Sequence, residues 1–350
     1  MQRSLCLLGV LALLGPGVTI AAEERPAEPA GPSLEYRPPR PVLPEPKGPT
    51  PAPPVTIFQQ SVGRFGISTE AFDGPVDVAL DASGNVYVLD GGNNRVQIFD
   101  KFLNFVQTFG TYGSRWGEFN KPTAIALNPE GFLFVVDSGN NRVQIFVTER
   151  RTGKVVFYES WGSLGSRDGD FKNPVDITVD GEGFVWVLDA GNERVQKFKF
   201  DPRITSGPRV SLVGGWGRFF GDRNGRYEDL VSLAWSDEDL GYIYLLGAGC
   251  LVQQFRPDGT LWKSWPAIAP ESGLCVPARI RIDNENDYVY VLDAGNGLLS
   301  RFSRDGRFYS ALRGAERPFV RPLGFALLPD RDQFVVADTA NNIVQKFTVR

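Results

Sequence analysis

A short hairpin pattern recurs six times along the chain, and no other feature restricts the possible fold as tightly. At Phe134–Phe146 it reads FVVDSGNNRVQIF: an apolar run ending in Asp137, a polar corner of Ser138, Gly139, Asn140 and Asn141, then a second run opened by Arg142. Two β-type runs joined by turn-formers predict a β-hairpin. The pattern returns at Val86–Phe99, Val185–Phe198, Val289–Phe302 and Phe334–Phe347, and in shortened form at Ile243–Phe255. The equivalent positions Asp90, Asp137, Asp189, Gly247, Asp293 and Asp338 stand 47, 52, 58, 46 and 45 residues apart. A hairpin returning at that spacing implies a repeat architecture.

Each unit has the same grammar. A loop rich in Gly and aromatics (Phe109–Pro122, Trp161–Pro174) leads to an apolar strand that opens at Pro75, Pro122 and Pro174, with looser copies at Leu230, Pro277 and Pro322. A turn leads into the hairpin, and a second turn leads to a fourth strand such as FVQTFG or LWKSWP. Four short strands per unit predict an all-β fold, a six-bladed β-propeller. The sixth hairpin ends at the last residue, without a fourth strand, whereas VTIFQQSVG at Val55–Gly63 precedes the first unit unassigned. That segment is expected to pair with Ile343–Val349 and close the ring, protecting edges that an open array would expose. The expected organisation is 1–22 an export signal, 23–54 a proline-rich disordered linker and 55–350 the propeller.

The hairpins closely resemble NHL repeats, in which an apolar strand is followed by Asp-x-x-Asn-x-Arg-Val-x-x-Phe. The match is fullest in the first three units, where Asn93, Asn140 and Asn192 precede Arg95, Arg142 and Arg194. Leu298 and Ile343 replace the arginine in the fifth and sixth, and the fourth has lost Asp, Asn and Arg together. The resemblance implies a six-bladed propeller used as an interaction platform. Some relatives bind RNA through a basic face, and an amidating-lyase relative holds zinc with histidines.

Composition limits both possibilities. The 350 residues contain no histidine, so zinc chemistry of that kind and every His-dependent catalytic arrangement are excluded. Net charge is −4, and the first 54 residues carry five Lys/Arg against five Glu, so the remainder is equally acidic. No nucleic-acid partner is expected of such a surface. Arg3, the apolar run Leu5–Leu14 and Ala21–Ala22 read as a secretion signal, placing the protein outside the cell or in a periplasm. Membrane association is expected only if that segment is retained. Arg25–Pro54 holds twelve prolines in thirty residues and reads as a semi-stiff spacer.

Four sets of residues are candidates for function. The repeated pairs Asp90/Arg95, Asp137/Arg142 and Asp189/Arg194, with Asp293 and Asp338, are expected to fix the hairpin corners. The second residue after each strand opening gives Asp77, Ala124, Asp176, Ser232, Arg279 and Gly324 around the channel mouth. Of these, Asp77, Asp176, Ser232 and Arg279 suit a small polar ligand or a divalent cation such as calcium. They equally suit loop caps bonded to backbone amides. Tyr112, Trp116, Phe119, Trp161 and Trp216, with Phe219 and Phe220, either present a partner face or wedge between blades. Cys250, in the fourth corner, and Cys275, in the next linker, are expected to form a disulfide where Asp and Arg are missing. The expected function is that of a monomeric, exported scaffold without a cofactor, binding a protein, peptide or glycan. The alternative is a hydrolase or lyase using Asp77 and Asp176, with or without a metal.

Overall fold

Alternation along the strands explains how the sheets stack. In Val86–Asp90, Val86 and Val88 pack to one side with Val335, Ala337 and Val344, whereas Tyr87 and Leu89 pack to the other with Ile125, Leu133 and Val135. Successive side chains of a strand point to opposite faces, so a strand apolar at every position must be covered on both. The computed structural model describes residues 56–217, 229–239, 241–270, 272–314, 317–328 and 333–349. The expected export signal and proline-rich linker, and Phe219 and Phe220, lie outside the described residues. Contacts divide the chain after Pro51, and every described residue belongs to the Ala52–Arg350 unit.

The first strand, β1, spans Thr56–Val62. Blade 1 follows as β2 (Pro75–Leu80), β3 (Val86–Asp90), β4 (Arg95–Phe99) and β5 (Phe105–Phe109). Blade 2 is β6 (Ala124–Leu127), β7 (Phe132–Asp137), β8 (Arg142–Thr148) and β9 (Val155–Trp161). Blade 3 is β10 (Pro174–Val179), β11 (Phe184–Asp189), β12 (Arg194–Phe200) and β13 (Val210–Gly217). Blade 4 is β14 (Ser232–Ser236), β15 (Tyr242–Gly247), β16 (Leu251–Phe255) and β17 (Leu261–Pro266). Blade 5 is β18 (Pro277–Asp283), β19 (Tyr288–Asp293), β20 (Leu298–Ser303) and β21 (Phe308–Leu312). Blade 6 is β22 (Gly324–Leu328), β23 (Gln333–Asp338) and β24 (Ile343–Val349), completed by β1.

All six sheets are four-stranded and antiparallel. The first strands of the blades touch in the cyclic order β2, β6, β10, β14, β18, β22 and back to β2, which makes them the wall of a central channel. Closure is by β1 against β24, with Thr56 opposite Val349 and Val62 opposite Val344. Gly63 then turns with φ +128° where a Cβ would stand 2.5 Å from the Asn342 carbonyl oxygen, so only glycine fits this exit. Six apolar clusters fill the molecule, each shared by two successive blades. Full burial of one Val, Leu or Phe contributes about 1.5–3 kcal/mol, and every interface holds at least five such buried side chains. The disc has two sides. On the loop face lie the linkers between blades and the hairpin corners; on the turn face lie the turns that join first to second and third to fourth strands.

Candidate functional site

The corner of blade 2 shows how the loop face is built. Asp137, fully buried at the end of β7, accepts at Oδ1 from the Asn120 N–H (2.7 Å). Its Oδ2 accepts from Asn140 Nδ2 (2.8 Å), Arg142 Nε (2.7 Å) and Gln144 Nε2 (3.1 Å). The other nitrogens of Arg142 donate to the carbonyls of Ser114 (2.9 Å), Arg115 (2.8 Å) and Glu118 (2.9 Å). The guanidinium fork therefore holds the preceding Gly-aromatic loop by its backbone, using geometry that Lys lacks. Arg95 binds the carbonyls of Ile67, Ser68 and Ala71 in blade 1, and Arg194 those of Ser166, Arg167 and Asp170 in blade 3. In blades 5 and 6, without the arginine, Asp293 accepts instead from the N–H groups of Val276, Gly295 and Asn296, and Asp338 from Val320 N–H, Asn341 and Gln345. Burial pushes the carboxyls of Asp90 and Asp338 above the usual range, and their hydrogen bonds offset only part of this.

A second residue of the corner links neighbouring blades. Asn94 Oδ1 accepts from Lys121 N–H (2.9 Å), Asn141 from Asn173 (2.9 Å) and Asn342 from Gly74 (2.8 Å). In blade 4 this link is covalent. Cys250 is bonded to Cys275 on the way into blade 5, with the two Cα atoms 5.9 Å apart.

Near the channel mouth, Asp77, Asp176, Ser232 and Arg279 converge, all but Arg279 with no measurable exposure. Arg279 Nη1 lies 2.9 Å from Asp176 Oδ1, and its Nη2 lies 3.4 Å from Asp77 Oδ2. Arg281, two residues further along β18, reaches back so that its Nη atoms lie 3.5 Å from each carboxylate. The remaining acceptors meet backbone groups of the following blade. Asp77 Oδ2 accepts from Ile125 N–H (3.1 Å), Asp176 Oδ2 from Leu233 N–H (3.0 Å) and the Ser232 hydroxyl, and Ser232 Oγ from Ile280 N–H (3.1 Å). Among the described residues Asp77 Oδ1 has no partner. Gly324 lies against it, since a Cβ there would sit 2.4 Å from the Asp77 Cα. Burial pushes the Asp77 carboxyl up, and Arg279 and Arg281 relieve only part of this, so its pKa stays raised. Asp176 suffers the same burial, but the two arginines, the Ser232 hydroxyl and the Leu233 N–H more than offset it and hold its pKa down. The two guanidiniums balance the charge of the two carboxylates. Arg281 was not among the residues expected here.

The five expected face aromatics separate into two groups. Tyr112 is 72% exposed and Trp116 76% exposed, the latter stacked parallel on Phe157 at 5.5 Å between ring centres. Phe119, Trp161 and Trp216 follow the other of the two expectations and wedge between blades. Phe119 is fully buried between Phe109 and Phe146, Trp161 packs edge-on to Phe134, and Trp216 is buried and stacked on Phe255. Phe65, Ile67 and Leu164, not singled out from the sequence, join Tyr112 and Trp116 as exposed apolar side chains of the loop face.

This architecture defines a six-bladed β-propeller. The NHL repeat model matches residues 72–99, 119–146 and 171–198, three stretches that each run from a fully buried Phe through the complete Asp-Asn-Arg corner. The chain is a six-bladed β-propeller that carries NHL repeats in its first three blades. No curated protein matches it by sequence. Among solved structures, a streptogramin B lyase is similar with a TM-score of 0.54 and 12% identity, covering 85% of this chain and 98% of its own. The virginiamycin B lyase from Staphylococcus aureus is similar with a TM-score of 0.51 and 13% identity, covering 83% and 88%. A catalytically inactive histidine-to-alanine variant of that lyase with quinupristin aligns at a TM-score of 0.52 and 13% identity, covering 84% and 89%. Likeness at this level concerns the fold.

Proposed function

We propose that the protein is an exported, monomeric, non-catalytic scaffold whose loop face binds a protein, peptide or glycan partner. The observation that carries this reading is a set of exposed apolar side chains, Phe65, Ile67, Tyr112, Trp116 and Leu164, on three loops of one face. Arg95, Arg142 and Arg194 hold those loops by their carbonyls, so little ordering cost attends binding. The disulfide and the apolar N-terminal run both fit export into an oxidising compartment. The chain has no histidine, whereas the related lyase is described as inactive when a histidine is replaced.

The test is capture on immobilised intact protein, with extracellular and periplasmic protein fractions and a panel of glycans as probes. Replacing Tyr112 and Trp116 together by Ser is expected to abolish saturable capture and leave the unfolding midpoint unchanged. Capture by the double variant at wild-type levels, or none by the wild type, counts against the reading. A channel-mouth hydrolase or lyase remains the second reading, favoured by the opposite pKa directions of two adjacent carboxylates. It requires Arg279 to leave both carboxylates before substrate or metal can reach them. Hydrolysis of ester or glycoside substrates that is lost in Asp176→Asn would support it.

A further inference from the structure

We propose that the central channel is a binding site for a small, uncharged, mainly apolar molecule carrying one acceptor oxygen. This inference is independent of the loop face, because the channel is reached from the opposite side. The Asp77, Asp176, Arg279 and Arg281 cluster lies at the beginnings of the first strands. Beyond it, a cavity of about 230 Å³ runs along the later residues of the same strands, from Val78 to Leu80, Ile125 to Leu127 and Ile177 to Val179. Its lining side chains are apolar except for those of Thr178 and Arg281, with polar backbone groups exposed between them. Space exists because the positions level with Arg281 are small: Ala79, Ala126, Thr178 and Ala326. An apolar cavity of about 150 Å³ accepts benzene, so this one accommodates a ring with a short polar arm.

The polar end fixes the chemistry of that arm. Arg281 donates to the Ile280 carbonyl at 2.9 Å, but its contacts with Asp77 and Asp176 are 3.5 Å long, at the limit of hydrogen bonding. A better acceptor in the channel would therefore gain a charge-assisted hydrogen bond. Two carboxylates and two guanidiniums already sum to zero charge. A further anion would be buried without a counter-charge, and a plain hydrocarbon would leave the guanidinium facing apolar surface. A carbonyl or hydroxyl oxygen on an apolar body meets both conditions.

The experiment uses the folded protein and three probes of similar size: acetophenone, ethylbenzene and benzoate, followed by ligand-observed NMR titration. Acetophenone is expected to bind saturably, at least about tenfold more tightly than either of the others. Arg281→Met, which keeps the volume, should abolish the preference for acetophenone over ethylbenzene. Thr178→Trp and, as a milder block, Ala126→Leu should weaken both in proportion to the space they fill. The proposal fails if no probe binds saturably, if benzoate matches acetophenone, or if a folded blocking variant binds as the wild type does.

Discussion

At the scale of the residue, the same carboxylate is treated differently in different blades, and the difference is measurable. Asp137 is fully buried against the nearly buried Arg142, so Arg142→Leu strands a buried charge. Equilibrium urea unfolding should show a loss of about 3 kcal/mol; a loss below about 1 kcal/mol would mean the clamp is ornamental. Blade 5 carries Leu298 at that position naturally and compensates with N–H donors from Gly295 and Asn296. At the channel, the two aspartates should respond oppositely to pH. Asp77 has a raised folded pKa, so its contribution to stability is full below the unfolded value of 3.8 and is lost as pH rises through the folded value. Asp176 has a lowered folded pKa, so its contribution is present above 3.8 and is lost as pH falls through the folded value. Asp176→Asn should therefore lose stability at neutral pH and flatten the acid limb, while Asp77→Asn should remove the acid-side gain. Urea midpoints taken from about pH 3 to about pH 7 check this, and parallel curves for the two variants would refute it. The corner was legible in the sequence because its partners are local, Asp90 to Arg95 being five residues. Arg281 was not, because its partners lie 204 and 105 residues away and its strand, PARIRID, gives no local sign of them.

Elements behave as a repeated kit with one part exchanged. Three corners use an asparagine to hold the next blade's backbone, and the fourth uses the Cys250–Cys275 bond instead. Across a separation of 25 residues, this bond should contribute about 3 kcal/mol. Reduction of the native protein, or the Cys250→Ser/Cys275→Ser variant, should lower the urea midpoint accordingly, without changing the blade number seen by scattering. An unchanged midpoint would mean the bond adds nothing to the hydrogen-bonded corners. The order of elements was readable throughout, since a strand buried on both faces leaves an unbroken apolar run. The face aromatics were only half readable, because exposure leaves no mark on a single loop. A comparison between loops does mark it. Phe72, Phe119 and Phe171 recur at spacings of 47 and 52, the same as the corner aspartates, and all three are core. Trp116 is matched at those spacings by Thr69 and Asp168 and is exposed. Tyr112 is matched by Phe65 and Leu164, equally exposed, so the mark of core is a Phe kept in all three loops and not an apolar position as such.

For the whole molecule, the decisive contact is the one between the outermost strands of the sequence, β1 and β24, where Thr56 faces Val349. Neighbours in a ring are defined by the ring, so no blade is intrinsically first. The seam could be placed elsewhere. Joining residue 349 to residue 56 by a few glycines and opening the exposed turn at Arg151–Gly153, between β8 and β9, gives a circular permutant. It is expected to unfold cooperatively in urea near the parent midpoint, and a broad or absent transition would show that the order of synthesis matters. If it folds, the position of the seam is a free choice for evolution or design: a tether, tag or fused domain could leave from any blade, and the presenting surface would stay as it is.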